Sequence, residues 1–252
     1  MTVTAEQRGS ARAIVWDRRG RRNAWDLETM TAIADAIEEA GGDDAVRCVL
    51  LRGAGEHFSA GDDLQSALEA DSSSWAATIE GFQRMTRVVL AAPVPVVAVV
   101  DGVCVGGALE FAASCDLRLC NDRVRLLTPE VGIGLVASNA GTILLPEVVG
   151  ESAARELLLS ADERDAAWAR EHGFATEMVA PSDLGARIDH WVAAFERTSR
   201  AAVAATKSML NERFGSLLEQ AMARETYHCV RLFDEPDARE ALAAFAQRRG
   251  GR

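Results

Sequence analysis

Apolar positions along the chain switch between two periods. Residues 11–17, ARAIVWD, form a short β-like run. After the basic turn RRGRRN, the positions Leu27, Met30, Ile33, Ala34 and Ile37 recur at helical spacing behind Asp26, which stands where an N-cap belongs. VRCVLLR (46–52) is a nearly continuous apolar run of the kind a buried strand shows. Beyond the loop GAGEHFSAGDDL, Ile79, Phe82, Met85 and Val89 share one face of a second helix, and PVVAVVD (95–101) is a further buried strand. Strand, helix and strand in alternation predict parallel pairing through right-handed crossovers, with the loops at the carboxyl ends of the strands gathering into a site. LRLC and VRLLT extend the β pattern to about residue 128. From Ala140 onward the period is helical, punctuated by Gly150, Gly173, Gly215 and Pro236 and interrupted by a short TEMVA run. No repeat of solenoid period and no low-complexity linker is present. The pattern therefore predicts an α/β core with a helical C-terminal region.

Composition narrows this picture only a little. With 252 residues and 48% hydrophobic content the chain can bury a large core. A net charge of -11, from 27 Lys and Arg against 38 Asp and Glu, disfavours a nucleic-acid surface. Cys48, Cys104, Cys115, Cys120 and Cys229 are odd in number, form no CxxC pair and sit mostly in apolar runs, which suits reduced core thiols. The first residues, MTVTAEQRGS, carry no targeting pattern, and the longest apolar stretch is broken by Pro93, Pro95 and Asp101. The expectation is a cytoplasmic protein without a membrane span.

Candidate chemistry is concentrated in DGVCVGGALEF (101–111), where a Gly-Gly pair and one glutamate stand in an otherwise apolar segment. A lone buried acid is costly unless it is paired or neutralised. If Gly107 opens a helix after the strand that ends at Asp101, its N–H is one of the unpaired amides of a helix start, backed by the macrodipole, and can stabilise an oxyanion. Glu110 then lies one turn on, on the same face. Gly61 permits an unusual backbone conformation just before the Asp62 amide, a second donor from a second strand-end loop. Taken singly, each feature has a plainer reading: the Gly-Gly pair as close packing, Glu110 as a hydrogen-bonded core acid, Glu130 as a loop acid after Pro129. Lys207 and the Arg248-Arg249 pair are candidate phosphate contacts that isolated cations seldom turn out to be. GAGEHFSAG lacks the last glycine of a dinucleotide loop, because Phe58 stands there. HFSAG has His57 where a nucleophile elbow needs glycine. No histidine or third acid stands at metal-ligand spacing from Asp62 and Asp63, so no metal site is expected.

FSAGDDL, VVAVVDGVCVGGALEFAASCDLRL and TPEVGIGL, in this order, resemble the crotonase (enoyl-CoA hydratase/isomerase) family. The resemblance continues through Arg22-Asn23-Ala24, the stretch from Val149 to Val179, ATKSMLN and the terminal DEPDAREALAAFAQRR. It implies a crotonase-like ββα spiral core over residues 1–195 and a helical region over 196–252 that assembles a homotrimer or hexamer. It also implies an acyl-CoA substrate whose thioester oxygen sits between the amides of Asp62 and Gly107. The CoA portion would lie against Arg22, Ala24, Ala60, Asp63 and Leu64. Glu110 and Glu130 match the two glutamates of hydratase members: by resemblance, Glu130 gives a proton to C2 and Glu110 activates the water that attacks C3. No metal or redox cofactor is implied, coenzyme A being part of the substrate, and neither nucleic acid nor membrane is an expected partner.

The chain departs from the hydratase pattern after Glu130. LVASNAGTILLPE puts Ser138 and Asn139 in a turn that is usually glycine-rich, and Ile143 and Leu144 replace a Gln-Arg pair. Asp62 is larger and more acidic than the small residue often found at its position, and is expected to raise the pKa of nearby carboxyls. An isomerase, a decarboxylase or thioesterase, and a catalytically silent CoA-binding protein share the same oxyanion hole. Retention of both acids favours hydration among them.

Overall fold

The computed structural model describes residues 2–250, without the side chains of 248–250. It begins with a strand that carries no apolar signature. β1 (Thr2–Arg8) is mostly exposed and pairs antiparallel with β2 (Ala11–Asp17), in register from Arg8↔Ala11 to Thr2↔Asp17. An edge strand with one face in water needs no hydrophobic run, so TVTAEQR gives no sign of it. From β2 the chain runs through α1 (Leu27–Gly42), whose N-cap Asp26 accepts the Thr29 amide, into β3 (Cys48–Gly53). α2 (Leu64–Glu69) and α3 (Ser72–Ala91) follow, α3 opening on a reciprocal capping box between Asp71 and Ser74. Then come β4 (Val96–Val100), β5 (Val103–Val105), α4 (Gly107–Ser114), β6 (Leu117–Cys120) and β7 (Arg125–Leu127).

The main sheet has the order β1-β2-β3-β4-β6-β8, parallel beyond β2, with β8 (Glu177–Met178) at its far edge. β5 pairs with β7 as a separate two-stranded parallel sheet. The apolar run VCV between two glycines is β5, a three-residue strand too short for a periodicity to register. α5 (Gly141–Val149), α6 (Glu151–Ser160) and α7 (Ala166–Glu171) precede β8. α8 (Leu184–Glu196), α9 (Arg200–Glu212), α10 (Gly215–Phe233) and α11 (Pro236–Gly250) complete the helical C-terminal region.

The core lies between the sheet and α1, α3 and α4. Ile33, Ile37, Met85 and Val89 pack there with Trp16, Trp25, Phe58 and Phe111. The aromatic rings meet edge-on: Trp16 to Phe58 at 5.0 Å and Trp25 to Phe111 at 5.5 Å between centroids. This cluster backs the two strand-end loops, and so it sets their position. All five cysteines are buried and unpaired. Among the described residues no helix is long and apolar enough to cross a membrane.

Candidate active site

Two loops meet beyond the carboxyl ends of β3 and β4. Ser59 forms a β-bridge with Cys104, its amide donating to the Val103 carbonyl and its carbonyl accepting from the Val105 amide. Gly61 (φ +82°) lies so close to the second loop that a Cβ there would stand 2.5 Å from the Val105 carbonyl oxygen. Gly106 (φ +59°) turns the chain out of β5 into α4. Only glycine takes both conformations without strain. Trp25 donates to the Gly61 carbonyl and accepts from the Asp63 amide, each at 2.8 Å, which leaves the Asp62 amide between them unused. Among the described residues neither the Asp62 nor the Gly107 N–H has a hydrogen-bond acceptor, and both residues line one inner cavity.

Gly107 needs its missing side chain for a second reason. A Cβ would come within 2.6 Å of the Phe82 ring, so any side chain at the start of α4 strikes a buried aromatic of α3. The plainer reading of the Gly-Gly pair, close packing, therefore holds at Gly107: the packing of α4 on α3 leaves no room for a side chain there.

Glu110 faces inward from the first turn of α4 and is fully enclosed. Its Oε2 accepts the amides of Asn139 and Gly141, each at 2.9 Å, while its Oε1 has no partner. Glu130 follows Pro129 in the 3₁₀ turn after β7 and lines the inner cavity, which Glu110 does not. The Glu130 Oε2 is likewise buried without a partner. Burial raises both carboxyls: that of Glu130 to about 7, that of Glu110 well above the ordinary range, with the nearby charges of Glu130 and Glu225 adding to the effect on Glu110. Carboxyls coupled in this way titrate as a set. Asp62 is itself raised by burial and by the charge of Asp63. The acid that acts on the Glu110–Glu130 pair is thus Glu225, where Asp62 was expected.

Glu225 joins the site from α10 with no motif around it in the chain. It is buried on α10 and accepts the amides of Ala140 and Thr142 at 2.7 and 2.9 Å. A signal was available: Met222, Glu225, Cys229 and Phe233 form the buried stripe of α10, so an acid occupies an apolar position there just as Glu110 does on α4.

An open groove of about 440 Å³ adjoins the inner cavity, and Arg22, Ala24, Ala60, Asp63 and Leu64 all line it, with Phe245 of α11 opposite. Its size is that of a ligand cleft. Asp63 is buried, caps α2 through the Gln65 amide and pairs with Arg18 and Arg21 at 2.7 and 3.0 Å, so its carboxylate holds the loop in place. Asp62 lines both spaces and marks their junction. The inner cavity encloses about 60 Å³ among Trp75, Ile79, Phe82, Ile133, Leu135 and Leu242. Lys207 is in neither: it is buried, its Nζ bound to Asp116 Oδ2 at 2.6 Å and to the Val94 carbonyl, and it cannot reach a phosphate. The Arg248-Arg249 side chains lie outside the described residues. Among the described residues no group of three His, Cys, Asp or Glu side chains is placed to hold a metal ion.

Among the described residues, two amides without an acceptor thus line the same inner cavity as the raised carboxyl of Glu130. The family model for enoyl-CoA hydratase/isomerase matches residues 6–251, and the chain belongs to that family. It is 30% identical over 230 residues to crotonyl-CoA hydratase of Syntrophomonas wolfei, covering 90% of this chain and 88% of that protein. It is 29% identical over 254 residues to short-chain-enoyl-CoA hydratase of Clostridium acetobutylicum, covering 98% and 95%. The solved structure of an enoyl-CoA hydratase from Mycobacterium avium subsp. paratuberculosis superposes with a TM-score of 0.88 at 28% identity, over 98% of this chain and 96% of that one.

Proposed function

We propose that the protein is an enoyl-CoA hydratase that adds water across the C2=C3 bond of a short 2-enoyl-CoA. The observation that carries this reading is the pair of buried, unpartnered carboxyl oxygens, Glu110 Oε1 and Glu130 Oε2. Isomerisation needs one base that moves a proton, whereas hydration needs one carboxylate to take a proton from water and one carboxyl to deliver a proton to carbon. The thioester oxygen accepts from the Asp62 and Gly107 amides, so charge that develops on it as water attacks is met by fixed donors. Burial raises both carboxyls, so they share protons; the resemblance to hydratases gives the donor role to Glu130 and the base role to Glu110, and the two amides on Glu110 Oε2 act in that sense against its burial. Glu110 takes a proton as the water oxygen bonds to C3; the enolate collapses and C2 takes the proton of Glu130. One water is consumed, and proton transfer between the acids resets the pair.

Coenzyme A lies in the outer groove along Arg22, Ala24, Ala60, Asp63 and Leu64, and the acyl group enters the inner cavity. The inner cavity, at about 60 Å³, is much smaller than the outer groove, which favours short acyl chains. The subunits assemble as a homotrimer or a dimer of trimers through the helical C-terminal region, which exposes Met209, Leu210, Leu217 and Tyr227 on α9 and α10. The deciding experiment is an assay with crotonyl-CoA and longer 2-enoyl-CoA esters, following loss of the conjugated thioester absorbance. Turnover fastest on the shortest esters is expected. Inertness towards 2-enoyl-CoA with conversion of a 3-enoyl-CoA would replace the hydratase reading with an isomerase.

A further inference from the structure

We infer that Glu225 is a positioning residue for the catalytic carboxylate Glu110, acting through the backbone of residues 139–142. This rests on the hydratase reading of the site. Four successive amides alternate between two buried acids: Asn139 and Gly141 donate to Glu110 Oε2, Ala140 and Thr142 to the two oxygens of Glu225. The Thr142 hydroxyl adds a third bond to Glu225. This backbone leads into α5, so both carboxylates meet the positive end of a nine-residue helix. The arrangement forces Ala140 into the left-handed region (φ +61°), where a non-glycine residue is strained. The Ala140 amide is held in that conformation by Glu225 itself.

The same segment is tied from α3. Gln83 Nε2 donates to the Ser138 carbonyl, to the Met222 carbonyl and to Thr226 Oγ1, and Thr86 Oγ1 donates to Asn139 Oδ1. Ser138 lines the inner cavity. Residues 138–142 are thus clamped between α3 and α10, with the catalytic carboxylate gripping one face of the strip and Glu225 the other. Without Glu225, the buried Ala140 amide has no acceptor and the Thr142 amide loses its partner, and the segment must turn to satisfy them. Such a turn carries the Asn139 and Gly141 amides away from Glu110 and releases its orientation, whereas the Asp62 and Gly107 amides and the outer groove stand on other elements.

The test uses Glu225→Gln, which keeps the shape but presents an NH2 group to one of the two donors, and Thr142→Val, which removes only the hydroxyl bond. Secondary structure and oligomeric state are read first. In Glu225→Gln, kcat on crotonyl-CoA is expected to fall at least about tenfold with KM within about threefold, the pattern of a misplaced catalytic group. Thr142→Val should show a smaller loss of the same kind. The inference is overturned if both variants keep the parent kcat, if the loss falls on KM alone, or if Glu225→Gln fails to fold while Thr142→Val is fully active. A parent that turns over no 2-enoyl-CoA would instead overturn the proposed function, so the two failures are separable.

Discussion

Gly141 and Glu110 are in contact through the absence of a side chain: the Gly141 amide donates to Glu110 Oε2 at 2.9 Å, and a Cβ on Gly141 would stand 2.8 Å from the carboxyl carbon of Glu110. One glycine therefore both holds the carboxylate and makes room for it. Gly141→Ala should push the carboxylate from its place and lower kcat at least about tenfold, since small displacements of reacting groups are costly. A Gly141→Ala variant with parental turnover would show that this carboxylate does not need its observed position.

The two acids themselves give the largest expected effect. Glu110→Gln and Glu130→Gln should each lower kcat by about two to four orders of magnitude while acyl-CoA binding, measured by calorimetry, survives. If either variant hydrates crotonyl-CoA at near the parental rate, the two-carboxylate mechanism is wrong and a single-base isomerase takes its place.

Stability should depend on pH in a direction that exposed carboxylates do not produce. Glu130 titrates at about 7 in the folded chain against an ordinary value of 4.5. Between these values the folded protein keeps a proton that the unfolded chain has lost, so this contribution is complete at the acid end and disappears as pH rises through about 7. In Glu130→Gln it is removed. Urea unfolding at pH 5 and pH 7 should show the variant gaining on the parent as pH rises, by at most about 1.4 kcal/mol per pH unit. Parallel behaviour of the two proteins would mean that Glu130 is not raised.

Lys207 serves the fold. Lys207→Met leaves Asp116, which also accepts the Val96 amide at 2.7 Å, without its cation. Because Asp116 keeps some access to water, the expected loss is about 1 to 3 kcal/mol of stability, read as a lower unfolding midpoint. KM for acyl-CoA should stay within twofold. A large rise in KM with unchanged stability would return Lys207 to the ligand site.

Assembly is testable without substrate. Leu217, 57% exposed on α10, has the accessibility of a residue awaiting a partner. Sedimentation at micromolar concentration is expected to give a trimer or hexamer, with Leu217→Lys shifting it towards smaller species. A stable parental monomer would refute the proposed assembly.

Local physics alone carried a large part of this structure into the sequence. Buried parallel strands read as apolar runs because both faces are covered, which is why β3, β4 and β6 were legible; α1 and α3 were legible because one face of each packs on that sheet. The glycines at 61, 106 and 107 were conspicuous because a side-chain-free backbone is rarely tolerated without a reason. Strand β1 was hidden because its register with β2, and not its composition, makes it a strand. Contacts distant in the chain were decided only in three dimensions. Lys207 reads as a free cation until Asp116, 91 residues away, is brought to it. What Gly107 packs against is settled only when Phe82 is brought to within 2.6 Å of where its Cβ would stand. Glu225 is separated from Ala140 by 85 residues, and only the packing of α10 against the start of α5 turns a glutamate on a buried helical stripe into the second clamp of the site. Side-chain periodicity reports which face of an element is buried; the identity of what it is buried against belongs to the tertiary fold.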